Sequence, residues 1–270
     1  ILISCFVQAG ERCEAAKGIT PYCKFKGPED MVHVPDSPFL IIGQYGGHVR
    51  REPGYLVSFD RTTEDIKRLF PIHGKKPPTR LWGQKTCTTP PTYFSPHGVD
   101  LIRRPNGDWM LLVVNHGASK KDRDSIQFFK VMPFEQSISL QWQGCVLMEK
   151  GIYLNDVAAL PQGGFVVPVV EMTGQNKSKS SLLLWKKSKG LSTLMNLNIG
   201  YGNGIAITPD GATLFVNDTV FGKVVKISVA DKKVVAEAAV KTPDNSSWSN
   251  DGELLITSIL YSSPEALEAC

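Results

Sequence analysis

The sequence has no apolar run of the roughly 18 residues that a membrane span needs. Its formal charge of +4 is spread over scattered residues, with no long lysine and arginine stripe of the kind that binds nucleic acid. Gly-x-Ser-x-Gly and His-Glu-x-x-His motifs are absent, so the usual signatures of serine and zinc hydrolases are missing. What is present is an ordinary globular composition, 42% hydrophobic over 270 residues, enough for one sizeable core.

Cysteine is sparse, and the six cysteines include no Cys-x-x-Cys pair. This spacing argues against a zinc site and favours an exported protein with one or two disulfides, whose pairing the sequence leaves open. Residues 1–7 are apolar and precede Gln8-Ala9-Gly10, as at the end of a secretory signal. We expect residues 1–12 to be a signal or N-terminal segment of a secreted or periplasmic protein. An N-terminal membrane anchor and an edge strand are the alternatives.

Short strands bounded by turn residues fill most of the chain, and helical periodicity is almost absent. Clear runs rich in Val, Leu, Ile and Phe cover residues 109–115, 164–170, 212–217, 223–228 and 253–258. Tight turns at Gly107, Gly163, Gly211 and Gly252 follow one another at steps of 56, 48 and 41 residues. This is the period of a four-stranded propeller blade with loops of variable length. The predicted fold class is therefore an all-β propeller.

A polar residue precedes the turn in each of these repeats. The positions are His97, ten residues before Gly107; Asn155, eight before Gly163; Asn203, eight before Gly211; and Asn245, seven before Gly252. Because the inner strands of a propeller line its channel, these side chains are expected to converge on the axis. Buried amides and carboxylates need partners, and calcium, which takes roughly six to eight oxygen ligands, would supply one. A structural asparagine in a tight turn is the alternative for any single position.

Six short segments occur in a fixed order along the chain: Gly27-Pro28-Glu29-Asp30, Ser95-Pro96-His97-Gly98-Val99, Leu112-Val113-Val114-Asn115-His116, Leu154-Asn155-Asp156-Val157, Gly202-Asn203-Gly204-Ile205 and Asp244-Asn245. Together they resemble the motif set of the paraoxonase/arylesterase family, within the superfamily of SMP-30/gluconolactonase-like propellers. The resemblance implies a six-bladed β-propeller formed by residues 13–270. Only 25 residues follow Asn245, so we expect about four and a half to five blades, with roughly 60 to 80 further residues needed to complete the ring.

The resemblance also implies two calcium ions in the channel. The catalytic ion would be held by Glu29, Asn155, Asn203, Asp244 and Asn245, and the buried structural ion by Asp30, Asp156 and the backbone carbonyl of Val99. Since consecutive side chains of a strand point to opposite faces, neighbours such as Glu29 and Asp30 can serve different ions. A surface acidic pair is the alternative for Glu29 and Asp30 taken alone.

His97 and His116 match the histidine pair of the family, in which the first activates water and the second orients it and relays its proton. Imidazole titrates near neutral pH and suits this chemistry, while calcium would polarise the ester carbonyl. The activity implied is the hydrolysis of lactones and aryl esters, with a small-molecule substrate. A hydrogen-bonded core pair is the alternative for these two histidines.

Besides the short C-terminal part, the sequence departs from the family in two places. The apolar N-terminal helix that ties the serum enzymes to lipoprotein is missing, so lipoprotein association is not expected. Residues 165–171 replace a polar wall of the channel, which leaves open the preference among lactones, aryl esters and phosphotriesters. A sugar lactonase, a strictosidine-synthase-like propeller without the metal set, and a non-catalytic binding propeller are the alternative functions.

Overall fold

The computed structural model describes residues 22–46, 52–72, 82–118, 122–134, 137–173, 177–249 and 251–259. These ranges contain β-strands and no helix, hence no helix that could cross a membrane. The strands are β1 (Pro28–His33), β2 (Phe39–Gln44), β3 (Tyr55–Asp60), β4 (Ile66–Phe70), β5 (Pro96–Arg103), β6 (Trp109–Asn115), β7 (Ser125–Phe134), β8 (Ser137–Leu147), β9 (Ile152–Leu154), β10 (Ala158–Ala159), β11 (Phe165–Thr173), β12 (Lys177–Lys186), β13 (Gly190–Leu197), β14 (Gly202–Ile207), β15 (Thr213–Asp218), β16 (Lys223–Ser228), β17 (Lys233–Ala239), β18 (Pro243–Trp248) and β19 (Leu254–Ser258). The expected signal segment, residues 1–12, lies outside the described residues.

The strands form antiparallel sheets that follow the chain order. Blade 1 is β1 to β4, blade 2 is β5 to β8, blade 3 is β10 to β13 with β9 also paired to β11, and blade 4 is β14 to β17. Strands β18 and β19 pair as the first half of blade 5. The described residues therefore hold four complete blades and half of a fifth, which confirms the predicted all-β propeller.

The turn that joins the first two strands of a blade requires glycine. Gly107, Gly163, Gly211 and Gly252 have φ between +74° and +91°, a region that L side chains rarely adopt and that glycine enters without a steric cost. The same backbone geometry recurs in blades 2 to 5. This is why the blade period is visible in the amino-acid sequence.

Apolar residues of adjacent blades pack face to face. Phe128 and Phe129 follow one another on β7 and point to opposite faces of the sheet. Phe129 packs with Ile41 between blades 1 and 2, whereas Phe128 packs with Phe165 between blades 2 and 3. A third cluster, which includes Leu182 and Leu214, fills the space between blades 3 and 4. Full burial of each such side chain contributes about 1.5–3 kcal/mol, so these clusters hold the blades around the channel.

A disulfide between Cys87 and Cys145 connects the segment before β5 to the outer strand of blade 2. In the same segment the N–H of Trp82 donates to the carbonyl of Gln143 at 2.7 Å, and that of Gln84 donates to the carbonyl of Cys145 at 2.8 Å. The segment thus covers the edge of β8, where an open strand could pair with another chain. The predicted presence of a disulfide is confirmed.

Candidate active site and metal centre

The inner strand of every blade is irregular at the residues predicted to form the site. Pairing skips Glu29 and Asp30 in β1, His97 and Gly98 in β5, Asn203 and Gly204 in β14, and Asp244 and Asn245 in β18, while Asn155, Asp156 and Val157 separate β9 from β10. A bulge bends the strand and re-aims its side chains, and bulges are common beside active sites. The prediction that Glu29 and Asp30 serve different ions assumed that side chains alternate regularly along the strand. This alternation does not apply at Glu29 and Asp30, because β1 is irregular there.

A series of contacts joins the predicted residues around the channel. The amide of Asn245 donates to the backbone carbonyl of Glu29 at 3.1 Å, and Oε1 of Glu29 lies 3.3 Å from Nδ1 of His97. The same Nδ1 lies 2.9 Å from the backbone carbonyl of Asn155, whose side-chain amide donates to Oη of Tyr201 at 3.4 Å. Blades 5, 1, 2, 3 and 4 are linked in this way. The structure thus brings Glu29, His97, Asn155 and Asn245 together at one end of the channel.

Asn203 and Asp244 complete the group. A hydrogen bond from Asn203 reaches the Asp244 carboxylate, and it partly offsets the rise in the pKa of Asp244 that burial causes. A Cβ atom at Gly204 would lie 2.3 Å from the backbone carbonyl of Asp244. Glycine is therefore required for blades 4 and 5 to approach this closely.

Four of the five side chains predicted for the catalytic ion carry a buried oxygen without a hydrogen-bond partner among the described residues. These atoms are Oε2 of Glu29 and Oδ1 of Asn155, Asn203 and Asn245. Leaving such an atom unsatisfied costs about 1–3 kcal/mol. Carboxylate and amide oxygens are the ligands that calcium prefers, so this set of atoms fits a calcium ion. Only two other side chains in the described ranges have such an oxygen, namely Ser95 and Asn217.

The charge of Glu29 is also uncompensated. Burial, and after it the negative charge of Asp30, raises the pKa of Glu29 well above its usual value. A buried carboxylate of this kind is stabilised by a nearby cation. In the ranges that the structure covers, no three His, Cys, Asp or Glu side chains are grouped as a metal site. A cation held here would consequently depend on the asparagine amides.

Asp30 and Asp156 are the two carboxylates predicted for the structural ion. Each of them forms a hydrogen bond with the next blade. Oδ2 of Asp30 accepts the N–H of Val99 at 2.8 Å, and Oδ2 of Asp156 accepts the N–H of Ile205 at 2.9 Å. Their Oδ1 atoms accept the N–H groups of the residues that follow them. All four oxygens already have a donor, in contrast to the four unpartnered atoms described above. A Cβ atom at Gly98 would lie 2.3 Å from Oδ1 of Asp156, so glycine directly before Val99 is required for blades 2 and 3 to approach this closely.

Asp100 belongs to the same buried group, although the sequence analysis missed it. Its Oδ2 accepts the N–H of Ala159 at 2.7 Å and so links blade 2 to blade 3. Burial raises the pKa of Asp30 to about 7 and that of Asp100 to about 6, and burial followed by the charge of Asp30 raises the pKa of Asp156 well above its usual value. The three carboxylates repel one another, so ionisation of all three opposes folding in the absence of a cation.

We predict that the calcium-free protein loses stability as the pH rises from about 6.5 to 8. The pKa of Asp30 rises from 3.8 to about 7 on folding, so its contribution to stability is complete at low pH and is lost as the pH passes the folded value. Below about 6.5 the lowered pKa of His97 acts in the opposite sense, because folding then opposes its protonation. The effect of Asp30 on stability is therefore measured between about pH 6.5 and 8, where His97 does not oppose it.

Melting temperatures recorded in a calcium chelator test this prediction. Each kcal/mol corresponds to a shift of about 2–4 °C for a chain of this size. The Asp30→Asn variant, which removes the charge, should show a smaller fall over the same range. A wild-type melting temperature that stays constant or rises between about pH 6.5 and 8 would be the opposite of the expected result.

The two predicted catalytic histidines lie side by side. The ring centroids of His97 and His116 are 5.0 Å apart with an interplanar angle of 80°, and the Tyr45 ring packs edge-on against both. Burial, followed by the repulsion of His116, lowers the pKa of His97 to about 3. Nδ1 of His97 faces a carbonyl and a carboxylate oxygen, so this nitrogen carries the proton of the neutral ring and Nε2 is left as the base.

His116 has a partner that the sequence analysis did not identify. Its Nδ1 lies 3.0 Å from Oδ2 of Asp124, a buried residue directly before β7. Asp124 lies in a blade connection and not in a repeated motif, so no periodic signal marks it. Asp100 could have been found, because it follows Val99 on an inner strand, where Asp30 and Asp156 also occur.

These features define the class of the protein as a β-propeller with a polar site at one end of its channel. Residues 103–257 match the profile of the SMP-30/gluconolactonase/LRE-like region, and this range covers more than half of the chain. The chain belongs to this family. The matched range contains Asn155, Asn203, Asp244 and Asn245, while Glu29 and His97 precede it. Membership supports a lactonase-like enzyme that acts on a small molecule, and it confirms the predicted superfamily.

Two solved structures show the same fold at low sequence identity, and a third gives a weaker match. A candidate gluconolactonase has a TM-score of 0.52 and 15% identity, over 87% of this chain and 72% of the other. A functionally unknown protein from Desulfotomaculum acetoxidans has a TM-score of 0.50 and 13% identity, over 86% and 62%. A luciferin-regenerating enzyme has a TM-score of 0.48 and 12% identity, over 86% and 69%. The chain thus spans 62% to 72% of the length of these three structures. No curated protein gives a significant match.

Proposed function

We propose that the protein is a calcium-dependent hydrolase of lactones and aryl esters, of the paraoxonase type. The observation that carries this proposal is the set of four buried, unpartnered oxygens on blades 1, 3, 4 and 5 beside His97. A rim-binding propeller has no need for such atoms in its channel, because each one costs stability unless a partner satisfies it. The order of the six motifs supports the paraoxonase type within the wider family.

Each of the two proposed calcium ions has its own residues. Glu29, Asn155, Asn203, Asp244 and Asn245 would hold the catalytic ion, and Asp30, Asp156 and the Val99 carbonyl the structural one. When bound, calcium would polarise the carbonyl of the ester and stabilise negative charge on its oxygen. The disulfide between Cys87 and Cys145 supports the proposal that the protein is secreted or periplasmic, since disulfides persist in oxidising compartments.

His97 is the residue that would accept the proton of the attacking water. Its contacts with the Asn155 carbonyl and with Glu29 fix Nδ1 as the protonated nitrogen, and the lowered pKa keeps the ring neutral while making Nε2 a weaker base than a free imidazole. Nε2 therefore has a free lone pair at neutral pH. The edge-on packing of Tyr45 against both rings restricts their rotation, which keeps the base in one orientation.

A sugar lactonase is the second candidate function. The family that the chain belongs to includes gluconolactonases by description, and the residues around the channel would hold the same cation in either case. The two functions differ in the polarity of the substrate. Phe165, Val167 and Val169 of β11, in the segment that replaces a polar wall in the related enzymes, are buried in the apolar cluster between blades 2 and 3, so they do not decide between the two candidates.

A hydrolysis panel tests the proposed function. Simple lactones, an aryl ester and a sugar lactone are each incubated with the protein, first with calcium and then with a chelator. We expect hydrolysis of the lactones and the aryl ester, loss of activity in the chelator and recovery when calcium is returned. Preferential turnover of the sugar lactone would favour the second candidate. Activity that a chelator leaves unchanged, or no turnover at all, would contradict the calcium-dependent hydrolase.

A further inference from the structure

Asp124 makes two contacts through a single oxygen atom. Its Oδ2 lies 3.0 Å from Nδ1 of His116 and accepts the backbone N–H of Leu154 at 2.9 Å. The residue is buried, with 4% of its surface exposed. Leu154 is the last residue of β9 and directly precedes Asn155. Asp124 therefore connects His116 on blade 2 to the part of blade 3 that carries two of the proposed calcium ligands.

The contact with Asp124 determines which nitrogen of His116 carries a proton. An ionised carboxylate can only accept hydrogen bonds, so Nδ1 of His116 must be the donor. In the neutral ring this leaves Nε2 as the acceptor. Around His116 the described titratable neighbours are His97, Tyr45 and Asp124. Of these three, only Asp124 faces it with a negative charge.

The partners of the two histidines differ in charge. Nδ1 of His97 is closest to a neutral carbonyl at 2.9 Å and has its carboxylate neighbour, Glu29, at 3.3 Å. Glu29 is also one of the residues that would be engaged by the catalytic ion. Asp124 is not among those residues, so its charge remains available to His116. A positive charge placed on the pair would thus lie closer to a carboxylate that is free of the proposed ion at His116 than at His97.

We propose that Asp124 is the positioning residue of the histidine pair: it fixes His116 with the proton on Nδ1 and stabilises the protonated form of that ring. This inference rests on the proposed function. As the oxygen of water forms its bond to the acyl carbon, its O–H bond breaks, and the proton is accepted by the pair, with the charge resting on His116 opposite Asp124. The same proton is passed to the leaving oxygen when the ester C–O bond breaks, which restores both neutral rings.

The Asp124→Asn variant removes the negative charge of residue 124 but can keep its two hydrogen bonds. An asparagine oxygen can still accept from Leu154 and from His116, because both contacts use one atom, but the negative charge is lost. We expect kcat for a lactone to fall by about 10-fold or more, up to the roughly 10²–10⁴-fold that a positioned acid–base group contributes. KM and the melting temperature should change little. Asp122→Asn is the matched control, because Asp122 is exposed in the same connection and accepts the N–H of Ala118 at 2.9 Å.

A second measurement does not depend on activity. Nitrogen-15 NMR of the imidazoles, recorded without substrate, should show His116 with its proton on Nδ1 in the wild type and a changed tautomer ratio in Asp124→Ala. A wild-type His116 protonated on Nε2, or an Asp124→Asn variant with full kcat, would overturn the inference. If the wild type hydrolyses nothing, the proposed function fails, and the spectra still decide whether Asp124 sets the tautomer.

Discussion

Replacing Asn203 or Asn155 by alanine is expected to abolish the hydrolysis of lactones and aryl esters and leave the blades folded. Each substitution removes a buried Oδ1 that no other described residue satisfies. Asn203 and Asn155 are 4% and 8% exposed, and neither belongs to the apolar clusters between the blades. The loss of one ligand weakens the binding of a cation more than it weakens the fold. We expect kcat/KM to fall by at least about 10²-fold.

The matched control for these variants is Asn198→Ala. Asn198 lies five residues before Asn203 and is exposed to solvent, so its loss should change neither activity nor the melting temperature. Circular dichroism and thermal melting would establish that all three variants are folded. Full turnover by the folded Asn203→Ala or Asn155→Ala protein would rule out the corresponding ligand assignment.

Replacing His97 by glutamine is expected to lower the turnover of a lactone by about 10²-fold or more, the usual effect of removing a general base. Glutamine can retain a hydrogen bond to the Asn155 carbonyl, which lies 2.9 Å from Nδ1 of the histidine, but it has no basic nitrogen. His116→Gln should cost less, because His97 would still accept the proton of water. The measurement is kcat under saturating substrate and calcium.

His33→Gln serves as the control for the histidine variants. His33 is the last residue of β1, and its Nε2 lies 2.8 Å from the backbone carbonyl of Ser37, within the turn that leads to β2. Its substitution should leave kcat unchanged. If His97→Gln and His116→Gln both keep near-wild-type rates, the two histidines form a hydrogen-bonded core pair without a role in proton transfer.

The blade architecture could be predicted from the sequence because its determinants are local. Gly107, Gly163, Gly211 and Gly252 are required by positive φ values, so the turns recur in the sequence at the blade period. Inner-strand residues such as Asn155 and Asn203 keep a similar distance from these glycines. The contacts between Asn245, Glu29, His97 and Asn155 follow from this placement, once the inner strands converge on the channel.

Contacts outside the repeated motifs could not be predicted in the same way. Asp124 lies between β6 and β7, and its contacts with His116 and with Leu154 of blade 3 depend on the three-dimensional packing of residues that no periodic signal marks. The pairing of Cys87 with Cys145 likewise depends on the path of the segment before β5. The bulges that re-aim Glu29 and Asp30 have no signature in one sequence, because they are defined by the register of the partner strand.

The central claim is that oxygens on the channel side of the blades bind calcium, and counting bound calcium tests it most directly. The wild type and the Asn203→Ala variant are dialysed against the same low calcium concentration, and the metal is measured per chain by elemental analysis. We predict two calcium ions for the wild type and one for the variant, since the ligands proposed for the structural ion do not include Asn203. A wild-type chain that binds no calcium, or a variant that binds as much as the wild type, would contradict the account.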